Sequence, residues 1–79
     1  MKIEEAFGLT LQKYRTDAKL SQEQLAFNSS LDRTYISLLE RGKRRPTINT
    51  VFALAQTVNI KPSILMQDIE NILTESNYS

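Results

Sequence analysis

Signals that start and stop helices recur roughly every ten residues along this chain, and that spacing limits it to a succession of short helices. Ser21 with Gln24 three residues later forms a capping-box pattern, in which the hydroxyl accepts from the Gln24 backbone N–H and the Gln24 amide reaches back. Asp32 and Thr47 are two further N-cap residues. Gly42 and Asn59 are helix stops, and Pro62 suits a first helical turn because its missing N–H would be unpaired there anyway. Glycine and proline number two each, and no apolar–polar alternation lasts long enough for a paired strand.

Between these signals the apolar residues fall at helical spacing. A first helix over about residues 3 to 18 buries Ala6, Phe7, Leu11, Tyr14 and Ala18. A second runs from Ser21 to about Asn28 with Leu25 and Ala26 inside. Asn28-Ser29-Ser30 is a turn, since all three side chains bond readily to local backbone, and Leu31 plugs the gap behind it. Asp32 caps a third helix to about Arg41, with Ile36 and Leu39 inward and Gly42 left-handed at its end. A basic loop, Lys43 to Pro46, leads to a fourth helix capped by Thr47 that buries Ile48, Val51, Leu54, Ala55 and Val58. The fifth starts at Pro62 and carries Ile64, Leu65, Ile69, Ile72 and Leu73 to about Thr74, with Glu75 to Ser79 frayed. The expected fold is all-α: one domain over residues 1–79, five helices, and a helix-turn-helix over about 21–42.

Composition removes several functions. Without cysteine there is neither a disulfide nor a thiolate metal site, and without histidine the commonest metal ligand and triad base are missing. Pairs such as Glu4-Glu5 and Asp68-Glu70 have no nucleophile beside them, so the chain is expected to be no enzyme and to need no cofactor. No apolar run approaches a signal-peptide core or a membrane span, which predicts a cytoplasmic protein without a membrane partner. The net charge of +1 is unevenly spread. Arg33, Arg41, Lys43, Arg44 and Arg45 stand against Glu40 alone in the middle, whereas Asp68, Glu70 and Glu75 follow Pro62 with no cation. A basic patch on an otherwise balanced domain is the footprint of a polyanion partner, although a plain solvated face has the same composition.

Two short helices joined by a tight turn fix what the third helix offers. Small Ala26 permits close approach, and Leu25, Leu31 and Ile36 lock the crossing. The outer face then presents Arg33, Thr34, Ser37 and Arg41 together. A helix entering the major groove reads bases with its N-terminal residues, here Arg33, Thr34 and Ser37. An arginine can grip guanine O6 and N7 with both prongs, and a threonine methyl can meet the thymine methyl.

Together, Ser21-Gln22-Glu23, Leu25-Ala26, Tyr35-Ile36-Ser37, Glu40-Arg41-Gly42 and Pro46-Thr47 resemble the Cro/C1-type (XRE) helix-turn-helix regulators of bacteria and phages. The LDRTYIS-x-x-ERGKR core is especially similar to restriction–modification controller proteins. The resemblance spans about residues 6 to 66 and implies a lambda-repressor-like DNA-binding domain. It implies a phosphate contact for Gln22, and a place for Tyr35 near the backbone or a base edge, although Tyr35 also fits half-buried packing. Further phosphate contacts are implied for Arg41, Lys43, Arg44 and Thr47, and a salt bridge between Arg15 and Glu40. Lys19 and Ser30 depart from the pattern, standing where the family commonly has glycine, at a cost on the order of 1 kcal/mol each.

The fifth helix has two readings. Ile64 and Leu65 close the core, while Ile69, Ile72 and Leu73 either extend it or form a twofold interface, the reading preferred here. A homodimer would set two recognition helices about 34 Å apart, matching a palindromic operator. The expected function is thus a homodimeric transcription regulator on double-stranded DNA, an autoregulatory controller by resemblance, with no small-molecule ligand. The alternatives are an antitoxin sharing this fold and an interaction module without a DNA role.

Overall fold

The computed structural model describes the backbone of residues 1–78 and the side chains of residues 1–76. Five helices follow one another: α1 (Ile3–Asp17), α2 (Gln22–Ser29), α3 (Arg33–Glu40), α4 (Ile48–Thr57) and α5 (Pro62–Tyr78). The capping box at Ser21 is present, with Gln24 N–H on Ser21 Oγ at 3.0 Å and Ser21 N–H on Gln24 Oε1 at 2.8 Å. Thr47 caps α4 by accepting from Thr50 N–H at 3.1 Å. Asp32 occupies the N-cap of α3, but its carboxylate accepts no capping bond.

The first four helices end in the same way. A residue with positive φ follows each (Lys19 at 60°, Ser30 at 60°, Gly42 at 70°, Asn59 at 61°). The next residue then turns its N–H back five positions: Leu20 to Arg15, Leu31 to Ala26, Lys43 to Leu38 and Ile60 to Ala55, all at 2.9–3.1 Å. This is the Schellman closure, which satisfies carbonyls that a helix end leaves unpaired. Leu20, Leu31 and Ile60 then tuck against the core, so three of the four turns are also hydrophobic plugs.

Packing runs in a ring, α1 against α3, α3 against α2, α2 against α4, α4 against α5, and α5 back against α1. Ala6, Phe7, Leu11, Leu25, Ala26, Ile36, Leu39, Val51, Leu54, Ala55, Val58, Leu65 and Ile69 fill its centre. The ring is tightest at Gly8, where a Cβ would stand 2.5 Å from the Leu39 carbonyl oxygen and 2.6 Å from that of Glu40. Only glycine lets α1 meet the end of α3 so closely. On the other side of α1, the Tyr14 hydroxyl donates to Asp68 Oδ2 on α5. That bond, with burial and the carboxylate charge, pushes the phenol up to about 12.

Four expectations need correction. Ala18 is the exposed C-cap of α1 and buries nothing. Ile48 is 69% exposed, because it lies off the Val51–Leu54–Ala55–Val58 line and on the side of Phe52. Ile64 is 41% exposed, standing one residue, about 100° of helix, before the buried pair Leu65 and Ile69. Finally, α5 continues past Thr74 to Tyr78, since no glycine or proline follows Pro62 to stop it. The expectation for Ser79 falls outside the described residues.

Candidate nucleic-acid interface

The helix-turn-helix consists of α2, the turn at Ser30, and α3. Leu25, Ala26, Ile36 and Leu39 bury its inner face, at 0–4% exposure. The outward face of α3 carries Arg33 and Thr34, both exposed, in its first turn, and Ser37, half-buried, one turn later. Among the described residues no hydrogen bond or ion pair engages the Arg33 or Thr34 side chain. The three expected base readers therefore share one face and one end of a helix whose opposite face is anchored in the core. Tyr35 is half-buried and packs against that core.

The expected phosphate contacts lie at the start of α2, just after α3, and in the loop and cap that lead to α4. Arg41, Lys43 and Arg44 are exposed just beyond α3, with Arg41 Nε 3.4 Å from the Ser37 carbonyl, a weak contact. Thr47 is exposed at the start of α4, where its oxygen already serves as the cap. Gln22 lies in the first turn of α2, and its Nε2 donates to Glu40 Oε1 at 3.0 Å. One amide hydrogen is thereby fixed, leaving the second and the carbonyl oxygen for an outside partner.

Glu40 is the hub of this arrangement. Its side chain is 4% exposed and accepts Arg15 Nε at 2.6 Å and Arg15 Nη2 at 3.1 Å, besides the Gln22 amide. Arg15 also gives Nη1 to the Leu20 carbonyl at 2.9 Å. The expected Arg15–Glu40 pair is thus present, bidentate, and extended to the start of α2. The sequence offered no signal for the Gln22 and Leu20 links, because both depend on how the turn after α1 is closed. A second pair, Arg45 to Glu4 at 3.0 Å, joins the basic loop to α1 and was also missed. The approach at Gly8 could have been suspected from a glycine inside an otherwise regular helix.

The expected dimer residues separate. Ile69 is 5% exposed and belongs to the protomer's own core, so it offers no surface to a partner. Ile72 is half-buried on the α1 side, where it lines a groove with Leu9 and Lys13. Leu73 is half-buried, on the helical face that Pro62 and Met66 begin. Large exposed apolar side chains lie on α4 at Ile48 and Phe52, and also at Ile3 and Leu9 on α1, Phe27 on α2 and Ile64 and Met66 on α5. Phe52, Ile60 and Pro62 line a groove of about 570 Å³. No helix among the described residues is long and apolar enough to cross a membrane.

With this geometry established, comparison with known proteins is direct. The helix-turn-helix family model matches residues 11–65. The control protein C.SmaI of Serratia marcescens is 44% identical over 59 residues, covering 75% of this chain and 70% of its own. The crystal structure of the restriction–modification controller protein C.AhdI from Aeromonas hydrophila superposes with a TM-score of 0.76 at 42% identity, covering 78% of this chain and 94% of that one. The controller protein C.Esp1396I, solved as a tetramer on its natural 35-base-pair operator, superposes at 0.81 with 27% identity, over 90% of this chain and 93% of its own. Five helices in this order, a helix-turn-helix with an outward polar face, and these relatives agree: the chain belongs to the Cro/C1-type helix-turn-helix family of DNA-binding transcription regulators and is similar, within it, to restriction–modification controller proteins.

Proposed function

We propose that the chain is a homodimeric controller that binds a palindromic operator and regulates its own operon. Arg33, Thr34 and Ser37 read bases, and Gln22, Tyr35, Arg41, Lys43, Arg44 and Thr47 meet the DNA backbone. The observation that carries this reading is the polarity of α3: Ile36 and Leu39 are fully buried, while Arg33 and Thr34 lie exposed, with no side-chain partner among the described residues, at the end that would enter the groove. Cations just beyond that helix supply the sequence-independent attraction to phosphate.

The second copy is assigned to the apolar surface of α4 and α5, that is Ile48, Phe52 and the groove with Ile60 and Pro62, continued by Met66 and Leu73. Support comes from C.Esp1396I, which assembles as a tetramer on its operator, and from the grouping of Phe52, Ile60 and Pro62 along one groove. Such a regulator works in the cytoplasm, on DNA, without catalysis. The control-protein relatives favour this reading over the antitoxin alternative.

Selection of bound duplexes from a random library at about 150 mM salt tests it. A recovered palindrome with half-site centres about 34 Å apart is the expected result. A motif without twofold symmetry would remove the homodimer, and recovery of no motif would remove base reading by α3.

A further inference from the structure

The basic loop carries three consecutive cations, but the last differs from the others. Arg45 Nε lies 3.0 Å from Glu4 Oε2, with the arginine side chain 85% exposed and the glutamate only 18%. The anion is thus set into the first turn of α1 and the guanidinium lies across it. A backbone hydrogen bond, then Arg45 itself, holds the Glu4 carboxyl below its usual range, so it is ionised at neutral pH. Lys2 adds a weaker attraction to the same carboxylate.

The other end of the loop is fixed to the same turn. At Gly42 a Cβ would stand 3.0 Å from Glu5 Cγ and 3.1 Å from Glu5 Cα, so α3 ends in contact with the start of α1. Lys43 and Arg44, between the two anchors, are exposed, and no ion pair among the described residues involves them.

We propose that Glu4 is a positioning residue for DNA binding: it neutralises Arg45 and pins the loop to α1, so that Lys43 and Arg44 are the loop cations that reach phosphate. The inference rests on the reading above, in which this loop meets the DNA backbone. Fold stability does not explain the pair, because an exposed ion pair contributes only about 0–1 kcal/mol. Its consequence lies in counterion release. Each phosphate neutralised by a free cation adds about 0.9 to the slope of log affinity against log salt, and a cation already balanced by a carboxylate adds little.

The experiment is a salt titration of the full-length protein between about 50 and 200 mM on a duplex of about 30 base pairs of unrelated sequence, chosen because the counterion effect is sequence-independent. Glu4→Gln should steepen the slope by about 0.9 per protomer, about 1.8 for the dimer, so that affinity falls roughly 12-fold further across that range than in the parent. Adding Arg45→Ala to Glu4→Gln should return the slope to the parent value. An unchanged slope for Glu4→Gln, or a double variant that stays steep, overturns the proposal. Arg44→Ala separates this from the underlying reading. It should flatten the slope by about 0.9 per protomer, and if it does not, Arg44 does not meet phosphate and the loop contacts proposed above fall as well.

Discussion

The two ends of α3 are built on opposite rules. At its start, Arg33 and Thr34 stand exposed with no side-chain partner among the described residues, and even the N-cap Asp32 makes no capping bond. At its end, Glu40 is clamped by Arg15 and Gln22, Gly8 of α1 admits the backbone of Leu39 and Glu40, and Gly42 lies close against Glu5. One end is left open and the other is held from three directions. A helix that must deliver side chains into a groove needs its aim fixed somewhere, and contacts at the reading end would occupy the groups that do the reading. On the proposed reading the aim is set about two turns away, where a change would cost stability rather than specificity.

The largest effect should follow from breaking the held end. Glu40→Ala leaves the Arg15 guanidinium, only 12% exposed, without its carboxylate, and frees the Gln22 amide. Removing one partner of a buried pair costs about 3–5 kcal/mol. For a domain of this size that is a large share of the total stability. Urea unfolding should show either a much lower midpoint or no cooperative transition. A loss below about 1 kcal/mol would mean that the pair behaves as an exposed one and that the hub sets nothing.

At the open end the same measurement should show almost nothing. Arg33→Ala is expected to leave the unfolding free energy within about 0.5 kcal/mol, as for other exposed side chains without partners. Operator affinity should drop by about 1–3 kcal/mol, with relaxed preference at one base position. If affinity fell equally on every operator variant, Arg33 would be a phosphate contact. A lowered unfolding midpoint would make it structural. Either result would erase the contrast between the two ends.

The open end was also the more legible one in the sequence. Arg33, Thr34 and Ser37 could be placed on one face because their spacing alone decides it, and the caps at Ser21 and Thr47 were visible because each depends on residues three apart. What could not be read depends on contacts between distant segments. The Gln22–Glu40 bond spans 18 residues and the Arg45–Glu4 bond 41, and neither has a local signature. Two of the misjudged apolar positions share one cause: periodicity finds the stripe but not its edges. Ile48 and Ile64 sit at the edges and proved exposed, whereas Ile69, expected to face a partner, sits at the centre and proved buried. Ile69 therefore leaves the set of residues expected at a partner, while Ile72 and Leu73 stay half-buried.

The smallest expected effect has the opposite sign and tests whether the reading end is as independent of fold stability as the comparison holds. Ser30, three residues before Arg33, adopts φ 60° and ψ 35°, a conformation that costs a residue with a Cβ roughly 1 kcal/mol. Its backbone N–H goes to the Phe27 carbonyl at 3.3 Å and toward that of Ala26, and among the described residues no hydrogen bond of its hydroxyl accompanies them. Glycine at this position relieves the strain and gives back part of the gain, because the unfolded chain becomes more flexible. Ser30→Gly should therefore raise stability by about 0.5 kcal/mol or somewhat more in urea unfolding, with the selected operator unchanged. If the variant gained stability but selected a different sequence, the turn at Ser30 would be setting the pose of Arg33 and Thr34, and the aim of α3 would be shared between its two ends.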